Sequence, residues 1–452
     1  MLVLLYINAF VAAYCNSLVN VALVDIMQSY QISATSAQWL VSGYTIVTVI
    51  MVMSMAFVYR RFTTQQIFYA AQALFIVSGL GCLLAPNYAV LLLARLVQGV
   101  ATGLSTPLMM NAVMVLAPPE HRGFAMGIGS TIITLGPAFA PVLSGVMTTA
   151  FGWHMIFLPP VAVTVCLSIA GKFTLRNLNE SSHAVFDAPS AVILALALTL
   201  VSFGLTRVVT APVAAVVLLA AGAFVLVLFA KRQSRIPSPF LVLSPLRLLR
   251  FWPCCLMTLA AIMTTFSVNL LVPLYLEEGL GFTALDAGQL MLIMVIFNTV
   301  TGLVAGLLLD RWGAWPLIPL GFARIVAGQV AILVAGQAYE VVAIVIGGCF
   351  VCAGVGLTSS PSQVTGLSSL EPDLYPHGVS IVSAFIQIAG CLAPTLYVGV
   401  MNGMQDAALA GGAHMQTAVA QGMGAGMAVA LGISFAALTL SLIYTLVIQR
   451  KR

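Results

Sequence analysis

From residue 2 to residue 448 the chain is a succession of apolar blocks separated by short polar breaks. Blocks of about 20 residues cross a hydrocarbon core of roughly 30 Å as helices, and backbone in lipid must satisfy its own hydrogen bonds. No period-two alternation runs through them, which excludes a barrel of strands. Only 6% of the 452 residues are charged and 61% are hydrophobic, whereas a water-soluble domain carries roughly 25% charged residues. The fold class that follows is an all-α polytopic membrane protein.

Reading each block between charged or Pro/Gly breaks predicts fourteen spans, near 2–24, 36–58, 66–86, 89–114, 122–147, 155–174, 188–208, 211–231, 252–276, 285–309, 315–336, 340–366, 376–401 and 423–448. The first lacks a basic leader and runs straight into others, so it reads as a span and not a cleaved signal. The chain opens inside that span, which leaves a start elsewhere open. Lys and Arg collect in cytoplasmic loops. With both termini inside, that set is Arg60, Arg61, Arg122, Lys172, Arg176, Lys231, Arg232, Arg235, Arg247, Arg250, Arg311, Arg450, Lys451 and Arg452, of 17 basic residues in all. Arg207 alone falls in an outer loop, and Arg95 and Arg324 fall within spans.

The net charge of +5 forms no basic stripe with interleaved aromatics, so nucleic acid is not an expected partner. The eight cysteines all lie in or beside apolar blocks, where Cys acts as a small hydrophobe. Cys349 and Cys352 form a CxxC, but without further ligands it reads as neither a metal nor a redox site. No HExxH, GxSxG or Walker loop is present, and no set of His residues sits inside the membrane, so neither an enzyme nor a cofactor is expected.

Two stretches of the chain repeat. Arg60-Arg61-Phe62-Thr63 after span 2 corresponds to Asp310-Arg311-Trp312-Gly313 after span 10, 250 residues on; Pro141 in span 5 corresponds to Pro394 in span 13, and Gly103 in span 4 to Gly356 in span 12, both 253 residues on. Such offsets imply two homologous six-helix halves with spans 7 and 8 inserted between them. The expected units are residues 1–176, a linker at 177–250 carrying the extra spans, and residues 251–452.

At these residues the chain resembles the fourteen-span drug:proton antiporter branch of the major facilitator superfamily, the EmrB/QacA-like multidrug efflux transporters, over nearly its whole length. Leu91 to Gly99, with Arg95, Gln98 and Gly99, is similar to that family's helix-4 motif, and Gly129, Gly136, Pro137, Pro141 and Gly145 to its helix-5 antiporter motif. Pro119 to Gly123, Phe186-Asp187 and Asn20 to Leu23 also fit. The resemblance implies two six-helix bundles plus two inserted helices, a bent helix 5 between the halves, and gate loops at Arg60 and Arg61 and at Asp310, Arg311 and Gly313. It departs at two places: Cys15 stands where the family carries a helix-1 Asp, and the loop after span 2 lacks its Asp.

Proline removes a backbone hydrogen bond, so a span with Pro137 and Pro141 is expected to pack against protein, with the glycines allowing close approach. A central Arg costs about 2.5 to 3.5 kcal/mol to insert, so Arg95 is expected to face a cavity and pair with Asp25. Arg324 leaves packing, snorkelling and substrate contact open. Asn16 and Asn20 share a face of span 1; with Asn111, Asn269, Asn298 and Gln387 they are candidates for the substrate or proton path, or for helix adhesion. Tyr14, Trp39 and Tyr44 offer flat apolar contact or form part of an interfacial belt. Gly99 with Gly103 and Gly302 with Gly306 read as helix-packing pairs, and Lys231, Arg232 and Arg235 as an anchor to anionic lipid.

All twelve carboxylates fall at span ends or in loops, Glu180 among them. A cation:proton antiporter needs a titratable group in the membrane, so Asp25, then Glu277, are the first candidates for coupling. The expected function is secondary efflux of a small amphipathic solute, with protons as a coupling ion, across a bacterial inner membrane. The alternative is an exporter or facilitator of an anionic, zwitterionic or neutral metabolite without conventional proton antiport.

Overall fold

The computed structural model describes residues 1–179, 187–207, 211–233, 235–236 and 241–449; Glu180, His183, Phe186, Arg450, Lys451 and Arg452 lie outside them. The described chain is built from fourteen α-helices: α1 Leu2–Tyr30, α2 Ala34–Arg61, α3 Thr64–Leu83, α4 Tyr88–Leu116, α5 Arg122–Phe151, α6 Leu158–Thr174, α7 Ala188–Thr206, α8 Pro212–Gln233, α9 Trp252–Leu274, α10 Ala284–Trp312, α11 Ala314–Gln337, α12 Val341–Leu367, α13 Tyr375–Ala410 and α14 Met415–Ile443. By length and apolarity 13 helices in the described chain can cross a membrane; α7 contributes only the shorter apolar run Val192–Val201. The first and last helix pairs run past the expected limits, since a helix need not stop where its apolar stretch does.

Alternate helix ends gather at two levels. One holds Arg60, Arg61, Arg122, Lys172, Arg176, Lys231, Arg232, Arg235, Arg247, Arg250 and Arg311; we call it the basic end. The other holds Asp25, Glu277, Glu278, Asp286, Glu340 and Asp406 with Arg207 alone against them, and is the acidic end.

Helices α1 to α6 pack mainly with one another, as do α9 to α14. The repeat is visible in the contacts. A Cβ at Gly103 of α4 would meet Met51 and the Thr48 carbonyl of α2; at Gly356 of α12 it would meet Thr301 and the Asn298 carbonyl of α10. Thr48 and Met51 precede Asn298 and Thr301 by the 250 residues that part Arg60 from Asp310. The GxxxG pairs serve these seams: Gly99 and Gly103 admit α2, while Gly302 and Gly306 admit α5 of the other half.

Helices α7 and α8 pair with each other, and α7 also packs on α2 and α13. At the acidic end Trp39 of α2 meets Phe203 of α7, ring centroids 5.3 Å apart. At the basic end Arg232 pairs with Asp187 at 3.0 Å and donates to Ser190, which donates to Asp187. Burial pushes the Asp187 carboxyl up, but these hydrogen bonds and the guanidinium charge outweigh it and hold it below its ordinary value. Arg232 therefore has a protein partner rather than lipid alone.

Candidate functional site

The two halves meet at the basic end. The N-terminus of α5 has no side-chain cap of its own, and its second and third amides are taken up by Asp310 of α10. Gly123 donates to Oδ1 and Phe124 to Oδ2, both at 2.8 Å. A carboxylate there satisfies two orphan N–H groups and faces the positive end of the helix dipole. Such proximity needs glycine: a Cβ at Gly123 would stand 2.5 Å from Asp310 Oδ1, and one at Gly306 2.5 Å from the Gly123 carbonyl. Gly313 ends α10 at φ 74, a left-handed conformation that glycine adopts without strain. Arg122 adds a hydrogen bond to Tyr375 of α13 at 3.1 Å and lies over its ring. Thr131 reaches the Thr299 carbonyl, and Ser383 of α13 reaches Met110 of α4.

Further from this contact two helices, one in each half, change their exposure along their length. On α1 one stripe is buried at Leu5 and Ala9 and exposed at Asn16 and Asn20. On α9 the corresponding stripe is buried at Cys255 and Thr258, half-buried at Ile262 and Phe266, and exposed at Asn269. Asn16 and Asn269 are 253 residues apart, the offset of Gly103 and Gly356. Both stripes pass from buried near the basic end to exposed toward the acidic end. The exposed carboxamides of Asn16, Asn20 and Asn269 can both donate and accept hydrogen bonds without carrying charge.

The other predicted path residues are placed differently. Asn298 and Gln387 are half-buried, as is Asp25 near the acidic end of α1. Asn111 is 1% exposed, with neither amide atom paired. Arg95 is fully buried. Its Nη1 donates to the Cys15 carbonyl at 3.0 Å and to Gln98 Oε1 at 2.5 Å, its Nε to the Leu40 carbonyl at 3.4 Å, and its guanidinium sits 4.1 Å from the Tyr44 ring centre. Nη2 has no partner. The expected pair with Asp25 is not formed, and Arg95, fully buried, lines no exposed surface. Asp25 lies ten residues past Cys15, about 15 Å further along the helix at 1.5 Å per residue, while two backbone carbonyls and an aromatic face are at hand. Cys15 keeps its place through its backbone, and its thiol is 3.6 Å from Gln98 Nε2.

On α5, Gly129 and Gly136 do admit neighbours, Met109 and Tyr6 at the first and Ala13 and Tyr14 at the second, but nothing stands within 4 Å of a Cβ at Gly145. Pro137 and Pro141 are exposed. Close packing by all three glycines is therefore corrected to two: at the level of Gly145, α5 meets α1 through the buried Ser144, whose hydroxyl is 3.4 Å from that of Tyr14, and not through the glycine. Tyr14 and Tyr44 are buried and Trp39 is exposed. Arg324 lies 5.3 Å from the ring of Phe350, itself exposed on α12.

Arg60 and Arg61 occupy the last turn of α2, where cations meet the negative dipole end. The loop after them is held by a residue the sequence reading passed over. Asn179 donates to the Tyr59 and Phe62 carbonyls and accepts from Thr64, and Thr63 with Gln66 closes a capping box on α3. An Asn just past α6 carries no signal that it folds back on another loop. Tyr375 and His377 were missed for the same reason.

Two bundles of membrane-crossing helices that meet at the basic end, with polar side chains exposed on one helix of each, fit the class of membrane transporters. The family model described as Major Facilitator Superfamily matches residues 5–394, and the chain belongs to that superfamily. It is 29% identical over 405 residues to the lincomycin resistance protein LmrB of Bacillus subtilis, covering 88% of this chain and 84% of that one. It is 21% identical to the riboflavin transporter RibZ of Clostridioides difficile, covering 88% and 86%. Among solved structures, the human organic anion transporter MFSD10 matches with a TM-score of 0.68 at 12% identity, covering 97% and 98%.

Proposed function

We propose that the chain is a secondary exporter of small amphipathic compounds that works by alternating access in a bacterial inner membrane, with the basic end and both termini cytoplasmic. The carrying observation is the stripe on α1 and α9, buried toward one end and exposed toward the other, beneath which the Asp310 contact closes the cleft. On this reading the structure is the outward-open form, with cargo bound among Asn16, Asn20, Asn269 and Gln387. The likeness to a lincomycin resistance protein supports a drug-like cargo, and Asp25 is the half-buried acid nearest the path for proton coupling.

A second reading has its own support. Among the described residues no carboxylate lies at mid-span, while Arg95 is a buried cation balanced only by carbonyls, an amide and a ring. Such a field disfavours a cationic cargo and suits a neutral, zwitterionic or anionic metabolite moved without conventional proton antiport.

Acid-loaded proteoliposomes followed with a pH dye separate the two. Under the first reading cationic or amphipathic drugs collapse the gradient, and Asp25→Asn abolishes the response. Collapse triggered by no compound, with radiolabel counterflow of a neutral or anionic solute intact, establishes the second.

A further inference from the structure

Arg324 is the second cation inside a span, and unlike Arg95 it is left without polar partners. It stands ten residues after the start of α11 at Ala314 and thirteen before its end at Gln337, about 15 and 20 Å along the axis at 1.5 Å per residue. Among the described residues it has no hydrogen bond and no ion pair. Its guanidinium lies 5.3 Å from the ring centre of Phe350, a residue about 14 Å from the nearer end of α12, so the charge is drawn out to neither end of the helices. The carboxylates of the neighbouring helices stand at their ends: Asp286 and Asp310 in the first and last turns of α10, and Glu340 at the cap of α12.

The side of α11 that carries Arg324 is an outer one. Helix α11 packs on α12, α14 and α10, all of its own half. Ala323, Ala327 and Val330 are exposed along it, as are Ile346 and Phe350 on α12 beside it. Small residues there let a further helix come close. The repeat has no parallel to this cation, since 250 and 253 residues before Arg324 stand Leu74 and Ala71. A charge alone at mid-span is costly, and the cost is relieved when an opposite charge from another span meets it. A phosphate headgroup lies outside a hydrocarbon core about 30 Å thick, roughly 15 Å from its middle, beyond the reach of one side chain. A second copy of this chain brings no acid to that depth, because its carboxylates all fall at span ends or in loops.

We infer that the outer face of α11 and α12 docks a membrane-spanning helix of another protein that carries an Asp or Glu at mid-depth, with Arg324 as the residue that recognises it. The planar guanidinium donates to both oxygens of that carboxylate, and Ala323 and Ala327 seat the partner's backbone. The site is lateral, on the side of the second half away from the first, and it holds whatever the cargo and its coupling.

The test uses the full-length protein in phosphatidylcholine vesicles at alkaline pH, with an encoded donor fluorophore at Tyr339 between α11 and α12. The probe is an acceptor-labelled synthetic transmembrane helix of Leu and Ala with one central Glu, compared with the same helix carrying Gln, the insertion of each being verified. Energy transfer is expected to reach half its maximum at about tenfold less of the Glu helix, the scale of one interhelical polar contact in a membrane. Arg324→Gln is expected to abolish that preference, and Arg324→Glu to turn it toward a helix with a central Arg. The comparison of the two helices on the wild-type chain needs no variant to fold. Equal transfer to the Glu and Gln helices on the wild-type chain, or an unchanged preference in folded Arg324→Gln, overturns the inference. Loss of the preference when phosphatidylglycerol is added to the vesicles assigns the site to an anionic lipid and overturns it as well. No cargo enters the measurement, so failure of the export reading leaves this result standing.

Discussion

A buried guanidinium without a carboxylate is held by geometry that lysine cannot copy. Arg95 reaches the Cys15 carbonyl, the Leu40 carbonyl and Gln98 while lying against Tyr44, which takes a planar fork. Arg95→Lys is therefore expected to lower thermal stability by about 2 to 4 kcal/mol, on the scale of one or two charge-assisted hydrogen bonds. Cys15→Ala keeps the carbonyl that does the holding and is expected to cost only about 1 kcal/mol, for a small buried group. Thermal unfolding of the two variants in one detergent checks the pair; equal losses would place the anchor on the thiol. That Arg95 had to be sheltered was legible, because the cost of a charge in lipid is read from its position in a span. Its partners were not legible, since a carbonyl acceptor is present at every residue and only the helix packing selects Cys15 and Leu40.

Among elements, α5 shows which part of a glycine pattern is spent on contact. Gly123→Ala forces a Cβ against Asp310 and the Gly306 carbonyl; it is expected to open the basic end and cut transport by about five- to 150-fold, as an overpacking cost of about 1 to 3 kcal/mol implies. Gly145→Ala meets open space and is expected to leave transport intact, with helix stability raised by up to about 1 kcal/mol. Transport rates and melting temperatures of the two variants test this. The α7–α8 pair adds a pH dependence. Because the Asp187 carboxyl is held below its ordinary value, its bond to Arg232 contributes stability above the ordinary carboxylate range, and that contribution is lost as pH falls through the lowered value. Asp187→Asn is expected to flatten the acid limb of a melting-temperature profile while changing little at alkaline pH beyond a constant offset. The repeat offsets of 250 and 253 were legible and reappear as the Gly103 and Gly356 contacts, since each half must bring small residues to the same crossings. The fold-back of Asn179 and the hydrogen bond from the Val242 amide to His377 were not, because they join segments that no periodicity relates.

For the whole molecule, apolar block length gave the helical membrane fold with little ambiguity, because lipid leaves the backbone few alternatives. Which face of each helix meets the cleft is a different matter: it depends on how far the halves are tilted apart, and the sequence carries only the polar residues that tolerate exposure there. Asn16, Asn20 and Asn269 lie on that face, while Arg95 and Asn111 are buried in the packing beneath it. The account's central claim, a cleft between the halves that is wet at the acidic end, is most directly tested by thiol accessibility. Asn16→Cys, Asn269→Cys and Asn111→Cys are each made in the full chain and treated in intact cells with a membrane-impermeant maleimide, against the wild-type background. A thiol in water ionises and reacts, whereas one in lipid or in a packed core does not. The account expects labelling at positions 16 and 269, reduced when the halves close over cargo, and none at position 111. Failure of both Asn16→Cys and Asn269→Cys to label above background, with the variants folded and inserted, would place those faces in lipid and contradict it.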